Sequence, residues 1–176
     1  MNNMKIYLTK TLIVFAILFS SESYSQKIGL KSSDLKIVPM DLKIILGDWN
    51  GTLTYLDYSS GKPYTLPANL TVKQGRNEYE LLLLNIYPNE PEANSREKIK
   101  ISEDGKQLNK KHIKSKQRLP KGQIQIITEY KGKDNKRNAL IRNIYILAGK
   151  QFLIRKEVQF ENSDTWIMRN EYNYLR

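Results

Sequence analysis

The chain has no cysteine and only one histidine, His112. The first absence removes thiol catalysis, disulfide staples and every Cys-ligated zinc site. The second leaves no histidine cluster at metal-ligand spacing and no histidine-centred nucleophile–base pair. There is no Gly-x-Ser-x-Gly elbow and no phosphate loop either. Glu129 and Asp57 could serve as acid or base if buried, but a lone carboxylate in a β-protein is usually structural. No catalytic residue, metal site or cofactor is therefore expected, and an enzyme is not the leading reading. Acids are few beside bases, 18 against 29, for a formal net charge of +11. That balance favours anionic partners.

Long apolar runs are also missing. The longest, Thr11–Phe19, is far short of the roughly 20 residues that cross a bilayer. It follows Lys5 and Lys10 and precedes Ser23-Tyr24-Ser25, which has the form of a cleavable signal peptide over 1–25, cut before Gln26. A secreted or periplasmic location is expected, without lipoprotein processing or a membrane span in the mature chain. Export also argues against a nucleic-acid partner. The roughly 150 residues left suffice for one unstapled domain that buries about 70% of its unfolded surface.

Residues 26–40 have weak periodicity, end near Pro39 and read as a linker. The pattern sharpens at Asp41, which can cap a short helix with Leu42, Ile45 and Leu46 on one face. Gly47 suits the left-handed stop that follows. The period then becomes two: Trp49, Gly51, Leu53 and Tyr55 share one side of a strand.

Further alternating runs fall near Ala68–Lys73, Glu78–Tyr87, Lys98–Ser102, Gln107–Lys116 and Gln123–Tyr130. Three longer ones follow at Ala139–Leu147, Phe152–Phe160 and Thr165–Tyr174. Turn signals separate them: Ser59–Pro63, Gln74–Asn77, the Asp104-Gly105 pair, and Lys131–Asn138, read as an exposed turn. Eight to ten strands joined by short connections predict an all-β fold over 41–176, a single antiparallel up-and-down β-barrel with a short N-terminal helical turn.

The order short helix, Gly47-Asp48-Trp49, first strand resembles the opening of the lipocalin and calycin superfamily. The resemblance implies that Trp49 packs at the closed end of the barrel under an arginine from near the last strand, with Arg169 as the candidate and Arg176 second. Thr128-Glu129-Tyr130 is similar to the family's second signature. Gly47, Trp49 and Gly51 also resemble the opening of nitrobindin-like haem barrels. Those hold iron through a histidine near the C-terminus, whereas His112 lies mid-chain, so no haem is expected.

A barrel of this size either fills its interior or holds one small ligand. Taking the most apolar face of each strand as inward places Tyr55, Tyr79, Leu83, Tyr145, Lys156, Met168 and Tyr172 as candidate ligand-binding residues. Lys156, between Ile154 and Val158, could receive a carboxylate or phosphate; the alternative is a lysine snorkelling at the rim. Arg142, Arg155, Glu157, Arg169 and Glu171 could form cross-strand ion pairs outside or grip an anionic head group inside. The arm 106–121 holds Lys110, Lys111, Lys114 and Lys116 without an acid. It could dock on an anionic envelope polymer, or simply be a lysine-protected edge. The expected function is therefore binding of a small apolar or amphipathic, anionic molecule. An envelope interaction protein that uses the basic arm is the alternative, and a calycin-type isomerase a distant third.

Overall fold

A computed structural model describes residues 35–176; the expected signal peptide and most of the expected linker lie outside the described residues. One short helix, α1 (Pro39–Lys43), precedes β1 (Gly47–Leu56), β2 (Pro63–Pro67), β3 (Asn69–Gln74), β4 (Glu80–Ile86), β5 (Ser95–Lys100) and β6 (Gln107–Leu108). β7 (Lys111–Arg118), β8 (Ile124–Asp134), β9 (Arg137–Leu147), β10 (Gln151–Phe160) and β11 (Ile167–Leu175) follow. The strands pair in the order β5-β4-β3-β1-β11-β10-β9-β8-β7-β6, and an antiparallel bridge from Ile101 to Leu108 joins the two ends. β3 beside β1 skips only β2 and the other neighbours are consecutive, so among the described residues the one seam between distant parts of the chain is β1 against β11. This is a nearly closed antiparallel barrel of ten strands.

β2 was not expected: Pro63 closes what reads as turn, and Pro67 falls in the short stretch before the next expected strand. It continues β3 in one register: Thr52 faces Pro67 as Trp49 faces Leu70, and Ala68 N donates to Gly51 O (2.9 Å) between them. The prolines are tolerated because β2 has β1 on one side and its other edge pairs with no strand among the described residues. The stretch Lys131–Asn138, expected as an exposed turn, is instead strand almost to its centre. β8 and β9 run on to Asp134 and Arg137, and the turn is only Asn135-Lys136 at φ 46° and 65°. A two-residue hairpin with both central residues left-handed matches the strand twist.

The helix starts at Pro39, earlier than expected, with proline in the first turn where its missing N–H costs nothing. Asp41 reaches back to accept from Val38 N (2.9 Å), and Ile37 is already in the core. α1 and the residues flanking it plug one end of the barrel, with Ile37, Leu42 and Ile45 in one core cluster with Trp49, Leu70 and Phe152. Trp49 Nε1 donates to Ile45 O (2.8 Å), tying plug to first strand. The β1–β11 seam is unusually close at Gly51, where an added Cβ would lie 2.4 Å from Asn173 O, so only glycine fits.

The arginine over the Trp49 ring is Arg176, 4.1 Å from its centroid, and not Arg169. Arg176 also donates to Leu46 O (2.6 Å), Ile44 O (2.9 Å) and Gly149 O (2.7 Å), clamping the helix end to the β9–β10 turn. Gly47, at φ +110°, leaves just enough room: a Cβ there would meet Arg176 Nη1 at 3.1 Å. Arg169 lies too near the start of β11 to reach this end, since Trp49 directly precedes Asn50, which pairs with Leu175, while Asn170 pairs with Tyr55.

Candidate functional site

Register sorts the inner wall into rows across β8, β9, β10, β11 and β1, because directly paired residues share a face. Nearest α1 lie Ile124, Leu147, Phe152, Tyr174 and Gly51. Next come Ile126, Tyr145, Ile154, Tyr172 and Leu53, then Thr128, Asn143, Lys156, Asn170 and Tyr55. The floor is therefore apolar, the middle is apolar with two tyrosines, and the third row is polar. Exposure does not follow the rows evenly: Ile126, Tyr145 and Thr128 are buried, and the next inward row, Tyr130, Ile141 and Val158, is apolar, with Ile141 and Val158 at 3% and 0%. Phe152 and Tyr174 are 0% and 1% exposed; Ile154, Tyr172 and Leu53 are half-buried, as are Asn143, Lys156 and Asn170; Tyr55 reaches 37%. The inward side chains that stay partly accessible are those of β10, β11 and β1 in the second and third rows, whereas Ile141 and Val158 beyond them are buried.

The tyrosines are locked by their partners. Tyr172 and Tyr87 share a hydrogen bond of 2.8 Å, and Tyr172 stacks on Tyr174 at 5.8 Å. Burial, with the Tyr87 hydroxyl beside it, pushes the Tyr172 phenol well up. Burial likewise pushes Tyr145 up to about 12. Both stay neutral and able to donate in any ordinary medium. Thr128 Oγ1, in the polar row, is buried and reaches no hydrogen-bond partner.

Four side chains meet at the open end. Asp134, at the tip of the β8–β9 hairpin, takes Lys156 Nζ on Oδ1 at 2.8 Å. Arg169 Nε lies 2.9 Å from Oδ2, and the Tyr58 hydroxyl donates to the same oxygen. The Arg169 guanidinium lies over the Tyr58 ring, 3.4 Å from its centroid. Arg169 is only 7% exposed. Its Nε is close enough to Asp134 for ion pairing but not aligned for a hydrogen bond, and its Nη1 reaches no acceptor. Burial works against the Asp134 carboxylate. The Lys156 and Tyr58 hydrogen bonds and the two cationic charges outweigh it, holding Asp134 below the usual carboxylate range. Tyr58 is pushed up to about 12 by desolvation and by the carboxylate it serves.

Among the expected ligand-binding residues, Leu83, Tyr145, Lys156 and Tyr172 lie on the inner wall. Tyr79 shares their face but packs against the core at the start of β4, beside the helix. Tyr55 stands at the rim, its ring tilted against that of Tyr64 at 5.5 Å. Met168 is a correction. The β10–β11 register slips at Arg169, so Met168 pairs with outward Glu157 rather than continuing the inward face. One extra residue turns every side chain before it to the other side. Trp166 goes outward with it, under Arg142 (4.0 Å).

Outside, Arg142 pairs with Glu157 (2.5 Å), and Arg155 bridges Glu157 (3.6 Å) and Glu171. Those arginines face solvent. The basic arm is also reassigned in part. Lys116 is not a surface group: its ammonium is buried against Asp41 (2.6 Å) and donates to Lys36 O (2.8 Å). Lys114 reaches Glu129 (3.3 Å) and Lys111 sits over the Tyr130 ring (4.0 Å), while Lys110 is exposed in the β6–β7 turn. No cluster of three or more acids or histidines placed for a metal occurs among the described residues.

Sequence reasoning missed Asp134, Tyr58 and Thr128. The signal available for Asp134 was its being the only acid in a run of bases directly before an Asn turn residue.

Fold and site together define a class: a nearly closed antiparallel β-barrel, plugged at one end, with a row of polar residues inside toward the other. No family model matches the chain, and no curated protein matches it. Among solved structures it is similar to Rv2717c from M. tuberculosis, at 9% identity and a TM-score of 0.45, over 78% of this chain and 95% of that one. It is also similar to a DUF3598-family protein of unknown function from Nostoc punctiforme PCC 73102, at 13% identity and a TM-score of 0.44. That likeness covers 80% of this chain and 49% of the other, so this chain spans about half the length of the second structure.

Proposed function

We propose that this chain is an exported, lipocalin-like binding protein that takes one small amphipathic molecule, apolar end first, into the open half of the barrel. The observation that supports it is one side of the inner wall, on β10, β11 and β1: apolar and sealed at Phe152 and Tyr174, half-exposed at Leu53, Ile154 and Tyr172, polar and cationic at Lys156. Apolar area removed from water is worth about 25 cal/mol per Å². A short alkyl chain that covers Leu53, Ile154 and Tyr172 would therefore bind without any catalytic group. The net positive charge favours an anionic head.

Titration of the mature chain with laurate and with dodecanol, read by displacement of an apolar fluorophore, tests this. Saturable binding near one ligand per chain is expected, abolished by Ile154→Trp in a variant that still melts cooperatively. Failure of both ligands to bind would refute the reading. Export is tested separately by sequencing the amino terminus of protein recovered from its host. Gln26 is expected first; a retained Met1 in cytosolic material would refute export.

A further inference from the structure

We propose that Asp134 is a built-in stand-in for the ligand's anionic head, and that an incoming oxyanion displaces it from Lys156 and Arg169 and so unlatches the β8–β9 hairpin. This rests on the amphipathic-ligand reading and adds the chemistry of the head and the moving part.

The first ground is charge. Two cations, Lys156 and Arg169, converge on one carboxylate in a largely buried cluster, leaving an excess of one positive charge. Arg169 is the under-served partner, with its Nη1 buried and without an acceptor. An unmet buried donor is costly. A guanidinium presents a planar fork that suits the paired oxygens of a carboxylate or phosphate. Asp134 approaches it at Nε alone. An external oxyanion free to orient can take the end-on fork that includes Nη1 together with Lys156.

The second ground is topology. Tyr58 belongs to the turn after β1, and Asp134 to the tip after β8. In the sheet β11, β10 and β9 stand between those strands. At about 4.8 Å per strand the path along the wall is roughly 19 Å. Tyr58 and Asp134 are nevertheless hydrogen-bonded, so the contact runs across the opening. The hairpin tip thus lies over the mouth, fastened by Asp134 alone among its acids. Beneath its base a small second cluster, Ala139, Ile141 and Val158 with Tyr130 and Phe160, supports it. A cleft of about 900 Å³ lies beside the hairpin stem, bordered by Gly132, Ala139 and Phe160. When the ligand's head takes the cations, Asp134 returns to water, Tyr58 loses its acceptor, and the tip is free.

The test compares laurate, dodecyl phosphate and neutral dodecanol on the mature chain. Asp134→Asn keeps the side-chain shape and removes the competing charge. It should tighten laurate about ten-fold, the equivalent of one charge-assisted hydrogen bond, and leave dodecanol unchanged. Lys156→Met should weaken laurate by a similar factor, again without effect on dodecanol. The chain has no cysteine, so Lys133→Cys gives a single labelling site on the hairpin. Laurate should increase the mobility of a spin label there, and dodecanol should not. The ratio of laurate to dodecyl phosphate affinity identifies which oxyanion fits. If dodecanol binds as tightly as laurate and Asp134→Asn changes neither, the latch is wrong while the barrel reading survives. If none of the three binds, both fall.

Discussion

Replacing Arg176 by alanine should loosen the sealed end of the barrel by an amount that the contacts allow to be worked out. The guanidinium lies 4.1 Å over Trp49, an exposed cation–π contact worth about 0.5–1 kcal/mol. It also donates to three main-chain carbonyls, at Leu46, Ile44 and Gly149. Arg176 is itself exposed, so water can replace it at those oxygens and each bond is worth only about 0.5 kcal/mol. The sum is about 2 kcal/mol. For a chain of this length that lowers the melting temperature by about 4–8 °C. Thermal denaturation followed by circular dichroism reads it directly. Arg176→Lys should recover less than half, because an ammonium cannot reach three carbonyls on two elements. A double-mutant cycle with Trp49→Leu should show a coupling of about 0.5–1 kcal/mol. An unchanged melting temperature in Arg176→Ala, or zero coupling, would show that the clamp contributes nothing to closure.

Two further outcomes are expected. Lys116→Met strips the main counter-ion from Asp41, which is 5% exposed and keeps only Arg118 at 3.9 Å; a loss of about 3–5 kcal/mol in urea unfolding is expected, with Lys116→Met/Asp41→Asn recovering a large share. Glu80 is held down from 4.5 to about 2 by hydrogen bonds from Lys98 and Lys100. A depressed folded value means its stabilisation is complete above pH 4.5 and is lost as pH falls toward 2. The urea midpoint should decline across that window, and Glu80→Gln should flatten part of the decline. An equally steep fall in the variant would remove Glu80 from the account.

Much of the barrel was legible in the chain because alternation is local. Wherever apolar and polar residues take turns, as in Ala139–Leu147 or Phe152–Phe160, the inward face follows from parity, and Tyr145, Ile154 and Lys156 could be placed inside. Parity fails where the backbone adds a residue. The slip at Arg169 sends Met168 and Trp166 outward, and nothing in their side chains announces it. The basic arm misled for another reason: a run of lysines reads as surface, yet a bulge between Ile113 and Ser115 puts Lys116 opposite inward Ile126, where Asp41 awaits it. The hairpin Lys131–Asn138 hid its strands because Lys, Gly and Asp carry no apolar rhythm.

By itself, then, the order of residues determined most of the alternating strands, the short plug ahead of Trp49, the apolar floor and the cationic excess, since each depends on composition or on neighbours a few positions apart. Tertiary structure alone decided which arginine covers the indole, that Lys116 is buried, and that Tyr58, Asp134, Lys156 and Arg169 meet at one mouth. Those contacts join residues distant in the chain, Tyr58 with Asp134 and Leu46 with Arg176. They come into being only when the sheet curls round and its first strand meets its last.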